Sequence, residues 1–305
     1  MNFINYQSAS EESNEALNKY LATTNGYIPI GVDMINAPYM WMNGYTGHGV
    51  KIAVIDTGCA DHQDLRENII GGKNFTNEDG CNPDIFTDYN GHGTHVCGTI
   101  CANGNIRGIA PNAKILVLKV LDGKGNGTIT SLINAINYAV EQKVDIISMS
   151  LGFPTDLVEL RYAVNKALDK GIVIICACGN SGDGKGETDE ITYPAYYNRV
   201  ISVGAIDNIR LGANFTNSNK EVDLVAPGVD IVSTYLNNGY ATLSGTSMAT
   251  PHVTGAIALL KQWSTIEFGR NLSETELYAQ LIKNTIKLNL NRRIQGNGML
   301  YIGRL

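Results

Sequence analysis

Three residues of different type carry the chemistry this sequence can be read for, each at a glycine-rich junction. Asp56 follows the apolar run Val50-Lys-Ile-Ala-Val-Ile55 and precedes Thr57-Gly58; His92 stands between Gly91 and Gly93 in Asn90-Gly-His-Gly-Thr-His95; Ser247 opens the apolar stretch Ser244-Gly-Thr-Ser-Met-Ala-Thr-Pro-His252. A serine hydroxyl is a weak nucleophile until a base takes its proton, and the base needs a carboxylate to orient it. Singly, Asp56 reads as a turn residue and Ser247 as an N-cap. Together, Asp, His and Ser supply all three roles. A serine at a helix N-terminus also has free N–H groups and a partial positive charge beside it, which can hold an oxyanion. The flanking glycines leave His92 uncrowded toward an approaching substrate, whereas His95, one turn on, faces inward with Val96 and Thr99 and reads as a core histidine.

Elements that could position these residues follow from periodicity. Residues 50–55, 114–121, 144–150 and 172–178 read as buried strands. Between them, residues 130–142 and 156–169 carry apolar side chains at helical spacing. Alternating strand and helix implies an α/β fold, a doubly wound and mostly parallel sheet with helices on both faces. Residues 245–263 read as a buried helix, and Ser273-Glu-Thr-Glu276 as a capping box opening a last amphipathic one.

Composition narrows the function. The 305 residues are 44% hydrophobic and 17% charged, which suits a packed domain and not a disordered chain. A net charge of −6 argues against a nucleic-acid binder or an anionic-membrane binder. Neither a signal-like segment nor a transmembrane run stands out, so the expectation is a soluble, cytoplasmic protein. Cys97, Cys101, Cys176 and Cys178 lie inside apolar runs, as buried thiols of a reducing compartment do, in preference to metal ligands.

Asp56-Thr-Gly, His92-Gly-Thr-His, Ala177-Cys-Gly-Asn180 and Gly245-Thr-Ser247-Met-Ala resemble the subtilisin-like serine proteases over roughly residues 35 to 260, in family order and spacing. The resemblance implies that Asp56 orients the imidazole, His92 is general base then acid, Ser247 is the nucleophile, and Asn180 donates to the oxyanion. It further implies that Ser150, Leu151 and Gly152 form one wall of the P1 pocket and Ala177, Cys178 and Gly179 the other. Thr192 would be the pocket floor, and Gly125, Asn126 and Gly127 an edge that pairs with substrate backbone. Ile136-Asn-Tyr-Ala-Val-Glu-Gln-Lys-Val-Asp-Ile-Ile-Ser-Met-Ser-Leu-Gly152 and Asp223-Leu-Val-Ala-Pro-Gly look most like the intracellular subtilisins, which are cytoplasmic, usually dimeric, and carry a short inhibitory N-terminal extension. The expected organisation is therefore an extension, residues 1–25, and a catalytic domain, residues 26–305, acting on proteins or peptides, with a homodimer left open.

Two departures bear on regulation and metal. The family's extension blocks the site with Leu-Ile-Pro-Tyr; here Phe3-Ile4-Asn5-Tyr6 stands closest, and Asn replaces Pro. A docked tip and a disordered terminus both remain open. No cofactor is required for the chemistry. A structural calcium or sodium ion is implied at the carbonyls of Ala195, Tyr197 and Val200 with Asp223, while Asp64 remains from a second calcium site whose loop, Cys101 to Gly108, is about three residues shorter than in the family. Asp79, Asp84 and Asp88 read as a further cation site or as solvated acids. Asp183, Glu187, Asp189 and Glu190, offset only by Lys185, would favour a basic P1 residue. The expected activity is serine endopeptidase; a dedicated leader peptidase and a catalytically silent binding module are the rivals.

Overall fold

The apolar runs become adjacent parallel strands, since burying both faces of a strand requires a neighbour on each side and a helix layer above and below. A computed structural model describes Met1 and residues 3–303; Asn2, and Arg304 and Leu305 at the end of the expected catalytic unit, lie outside the described residues. From one edge the nine-stranded sheet runs Ile69–Asn74, Lys114–Lys119, Lys51–Asp56, Ile146–Met149, Val173–Ala177, Ile201–Ile206, Leu224–Pro227, Met299–Leu300 and Thr285–Ile286. All pairings are parallel except the last. Residues alternate between two cores. Ile52 and Val54 pack with the helices His92–Cys101 and Thr246–Phe268, and Ala53 and Ile55 with Ile129–Glu141 and Val158–Leu168.

Strand order reverses beside Lys51–Asp56: the chain goes outward, returns as Lys114–Lys119, then crosses to Ile146–Met149 on the other side. Such a reversal opens a crevice beyond the carboxyl ends of the strands, and Asp56 is the last residue of its strand. The helix from Thr246 runs 23 residues, past the expected Trp263, and stops at a left-handed Gly269. Pro251 lies inside it and has no N–H for the Ser247 carbonyl; the Ser150 hydroxyl donates to that carbonyl instead, at 2.9 Å. The capping box at Ser273 and Glu276 forms as read.

Residues 3–25 are not a loose tail. Gln7–Ser8 pairs antiparallel with Tyr240–Ser244, which pairs with Ile231–Thr234 in a second, three-stranded sheet. Ser10 then caps the helix Glu11–Leu21, whose Asn14 and Asn18 side chains accept from the Thr242 and Tyr240 amides. Among the described residues no helix is long and apolar enough to cross a membrane.

Two buried histidines make the fold acid-sensitive. His95 donates to the Ile231 and Ala241 carbonyls, and His252 lies on the Met248 carbonyl. Burial pushes His95 down to about 3 and His252 down to about 4. Both are basic groups with depressed folded pKa values, so above the ordinary 6.5 neither affects the pH dependence; below it the unfolded chain takes up protons that the folded chain refuses, and stability falls. Two groups losing ~1.4 kcal/mol per pH unit amount to about 5 kcal/mol near pH 4.5. Asp223 works oppositely, because burial raises it to about 6, and offsets part of this. The urea midpoint should drop between pH 7 and pH 5; a constant midpoint would contradict the assignment.

Candidate active site

The turn that presents His92 is built before the imidazole is used. Buried Asp88 accepts from the amides of Asn90, Gly91 and Thr94 and from the Thr94 hydroxyl, at 2.7–2.9 Å. It is thus neither a cation ligand nor a solvated acid. Gly91 caps the helix in the left-handed region, φ 99°, where a Cβ would meet the Tyr235 ring at 2.2 Å; at Gly93 a Cβ would meet the Gly58 carbonyl at 2.2 Å. The two glycines therefore make room for the protein's own atoms, not for substrate as the sequence suggested. Gly93 N–H donates to the Thr57 hydroxyl, drawing the helix onto the Asp56 loop. Asp56 Oδ1 and His92 Nδ1 are then 2.7 Å apart, both buried.

Ser247 lies at the first turn of its helix, across the crevice, with its hydroxyl donating to the Ser150 carbonyl at 2.9 Å. His92 Nε2 has no hydrogen-bond partner, and the Tyr6 ring lies over the imidazole with centroids 5.3 Å apart. Asn180 is oriented by Thr246, whose amide and hydroxyl both donate to its Oδ1, at 2.9 and 2.7 Å. Its Nδ2 must therefore face the cleft, where it donates to the Asn5 carbonyl.

Leu151, Gly152, Ala177, Gly179, Asn180, Thr192 and Ser247 share one cavity of about 210 Å³ with Phe3, Ile4 and Asn5. Thr192 Cγ2 and Oγ1 lie 2.2 and 2.4 Å from where a Cβ would stand on Gly152 and Gly179. Two of the expected wall residues turn elsewhere. The Ser150 side chain faces the Ser247 carbonyl, and Cys178 is buried against Thr216 and Asn217. Phe3 N–H donates to the Gly125 carbonyl at 3.1 Å, Gly127 N–H to the Met1 carbonyl at 3.0 Å, and Gly152 N–H to the Phe3 carbonyl at 3.1 Å; Asn126 closes a turn with Asp122. Residues 3–6 belong to no strand, and Phe3 bonds to Gly125 through its N–H and to Gly152 through its carbonyl.

The implied cation sites fare differently from the cleft. Val200 and Asp223 line one cavity with Glu221 and Arg199, but Ala195 and Tyr197 are not among its lining residues. Asp223 accepts from Ser202 N–H and the Tyr278 hydroxyl. Asp64 accepts from the Asn105 and Ile106 amides and the Tyr240 hydroxyl, so the short loop closes on an anion by N–H and O–H donors, an arrangement that does not fit a cation. Among the described residues no group of three or more His, Cys, Asp or Glu is placed to hold a metal ion. The acidic loop is also less bare than expected, because Arg293 pairs with Asp189 and Ser218 N–H donates to Glu190.

All six cysteines are free thiols, five buried and Cys81 exposed; burial pushes Cys178 up to about 11. Native protein should react with a thiol reagent at about one site and denatured protein at all six. Rapid titration of more than two thiols in the native chain would show the buried set to be wrong.

Residues 47–298 match the model of the subtilase family. The chain belongs to the subtilase family. Among curated subtilases, the intracellular serine protease of Paenibacillus polymyxa is 58% identical over 90% of this chain and 85% of its own. The major intracellular serine protease of Bacillus subtilis (strain 168) is 54% identical over 90% of this chain and 88% of its own, and subtilisin DY of Bacillus licheniformis is 44% identical over 76% and 84%. Thr246 and the Ser150 carbonyl escaped the sequence reading, and the role of Asp88 as an acceptor within the His92 turn did too. Thr246, within the Gly-Thr-Ser string, and Asp88, within Asp-Tyr-Asn-Gly-His92, carried a signal that could have singled them out.

Proposed function

We propose that this subtilase, a serine protease by family, hydrolyses peptide bonds with Ser247 as nucleophile, His92 as base and then acid, and Asp56 holding the imidazole. The observation that carries this reading is the Asp56–His92 pair at 2.7 Å, the His92 Nε2 unbonded beside the Tyr6 ring, with Ser247 lining the cavity that holds Phe3, Ile4 and Asn5. A substrate entering in place of residues 3–6 puts its scissile carbonyl where the Asn5 carbonyl stands. The Ser247 hydroxyl then rotates from the Ser150 carbonyl to His92 Nε2, gives up its proton there and attacks. Asn180 Nδ2 and the Ser247 N–H receive the developing oxyanion, and His92 passes the proton to the leaving amine. Water then repeats the sequence on the acyl-enzyme.

Residues 1–25 act on this reading as an inhibitor in cis: Tyr6 covers the imidazole, Asn5 fills the oxyanion position and Ser247 is turned away from its base. The names of the two intracellular relatives support a cytoplasmic location. A biotinylated fluorophosphonate should label Ser247, and unfolded casein should be cut at many sites. Absence of labelling in a chain beginning at Gly26 would sink the triad, and labelling with a single cleaved peptide would favour the leader-peptidase alternative.

A further inference from the structure

Lys119, the last residue of its strand, is a lysine with no exposed surface, directly behind the catalytic loop. Its ammonium donates to the Thr57 carbonyl at 2.6 Å and the Leu121 carbonyl at 3.0 Å, and it forms an ion pair with Glu78 Oε2 at 2.9 Å. Thr57 follows Asp56, and its hydroxyl holds Gly93. Leu121 leads into the turn that ends in Gly125 and Gly127. The other carboxylate oxygen of Glu78 accepts Gly123 N–H at 2.9 Å, and the Gly123 carbonyl accepts from Asn90, two residues before His92. One buried cation and one carboxylate thus tie the Asp56 loop, the His92 turn and the substrate-pairing edge into a single frame.

We propose that Lys119 and Glu78 are positioning residues that hold segment 122–127 in register with the Asp56–His92 pair, so that substrate backbone bound by the edge meets Ser247 correctly. The inference rests on the proteolytic reading above. A buried cation that loses its carboxylate keeps its charge, so the loop must relax to resolvate it, and the edge moves with it. Glu78 is partly exposed, its side chain 30% accessible, which lets Glu78→Gln fold.

The test compares full-length wild type and Glu78→Gln, after any lag, on a tetrapeptide anilide that spans Gly125 to Gly127 and on a single-residue acyl ester with the same P1 residue, too short to reach them. KM for the tetrapeptide should rise about tenfold with kcat within about twofold, while ester hydrolysis is unchanged. Lys119→Met, which also frees the Thr57 carbonyl, should lower kcat on both substrates. Equal losses on both substrates in Glu78→Gln, as general destabilisation would give, overturn the proposal, and so does wild-type behaviour on both. Wild type inert toward both substrates would instead sink the proteolytic reading, and this inference with it.

Discussion

Ser247→Ala and His92→Ala should each lower kcat by a factor on the order of 10⁶, and the double variant should be little worse, because neither group works without the other. Removing the hydroxyl deletes the nucleophile; removing the imidazole leaves that hydroxyl donating to the Ser150 carbonyl, with nothing to take its proton. Asn180→Ala should cost about 10² to 10³. These sizes are those of subtilisin itself, a member of the same family, carried over to this chain. The geometry adds a different expectation. Thr246 pins the Asn180 amide through two hydrogen bonds, so Thr246→Val, which loses the hydroxyl donor but keeps the amide, should fall well short of the Asn180→Ala loss. Rates of the Asn180 and Thr246 variants should be normalised by active-site titration, and those of the Ser247 and His92 variants by the concentration of folded protein. Full activity in Ser247→Ala would remove Ser247 from the mechanism, and near-additive losses in the double variant would mean that His92 and Ser247 act separately.

The second large effect should come from the N-terminal segment. Full-length protein should be nearly silent at first and gain activity as its own N-terminus is trimmed, whereas a chain beginning at Gly26 should show no lag. Asn5 lacks the ring that fixes proline geometry, and its carbonyl already lies on Asn180, which makes the Asn5–Tyr6 bond the expected cut. The Ser247 hydroxyl turned toward Ser150 holds the nucleophile short of attack, so trimming should be slow. If it occurs between molecules, the lag should shorten as protein concentration rises. Intact mass measured over time should show the loss in wild type and its absence in Ser247→Ala. Equal initial rates for verified intact and truncated protein would rule out inhibition in cis.

The sheet and the place of Asp56 at the end of its strand were legible in the sequence for the same reason. Parallel strands buried on both faces read as near-continuous apolar runs, and chemistry in such folds gathers where those runs end, as Asp56 does. Asn180 was legible by its string and not by its physics, because what orients it is Thr246, sixty-six positions away. The short strands Gln7–Ser8 and Tyr240–Ser244 were not legible. A two-residue pairing has no periodicity to detect, and Tyr240–Ser244 carries its partners on a separate small sheet.

Charge was where local reading failed. Asp88 looks like any loop acid until four donors converge on it, and the acidic stretch after Asn180 looks unbalanced until Arg293 arrives from the C-terminal end. By itself the sequence determined the residue types of the proposed triad, the strand that ends at Asp56 and the family, since those depend on order and periodicity along the chain. Only the tertiary structure decided which acids are structural acceptors, that Ser247 faces Ser150 while residues 3–6 fill the cleft, and that Lys119 is buried between two carbonyls and a carboxylate. Each of these depends on which distant donor or acceptor reaches a polar group, because burial leaves that group no water to bond instead.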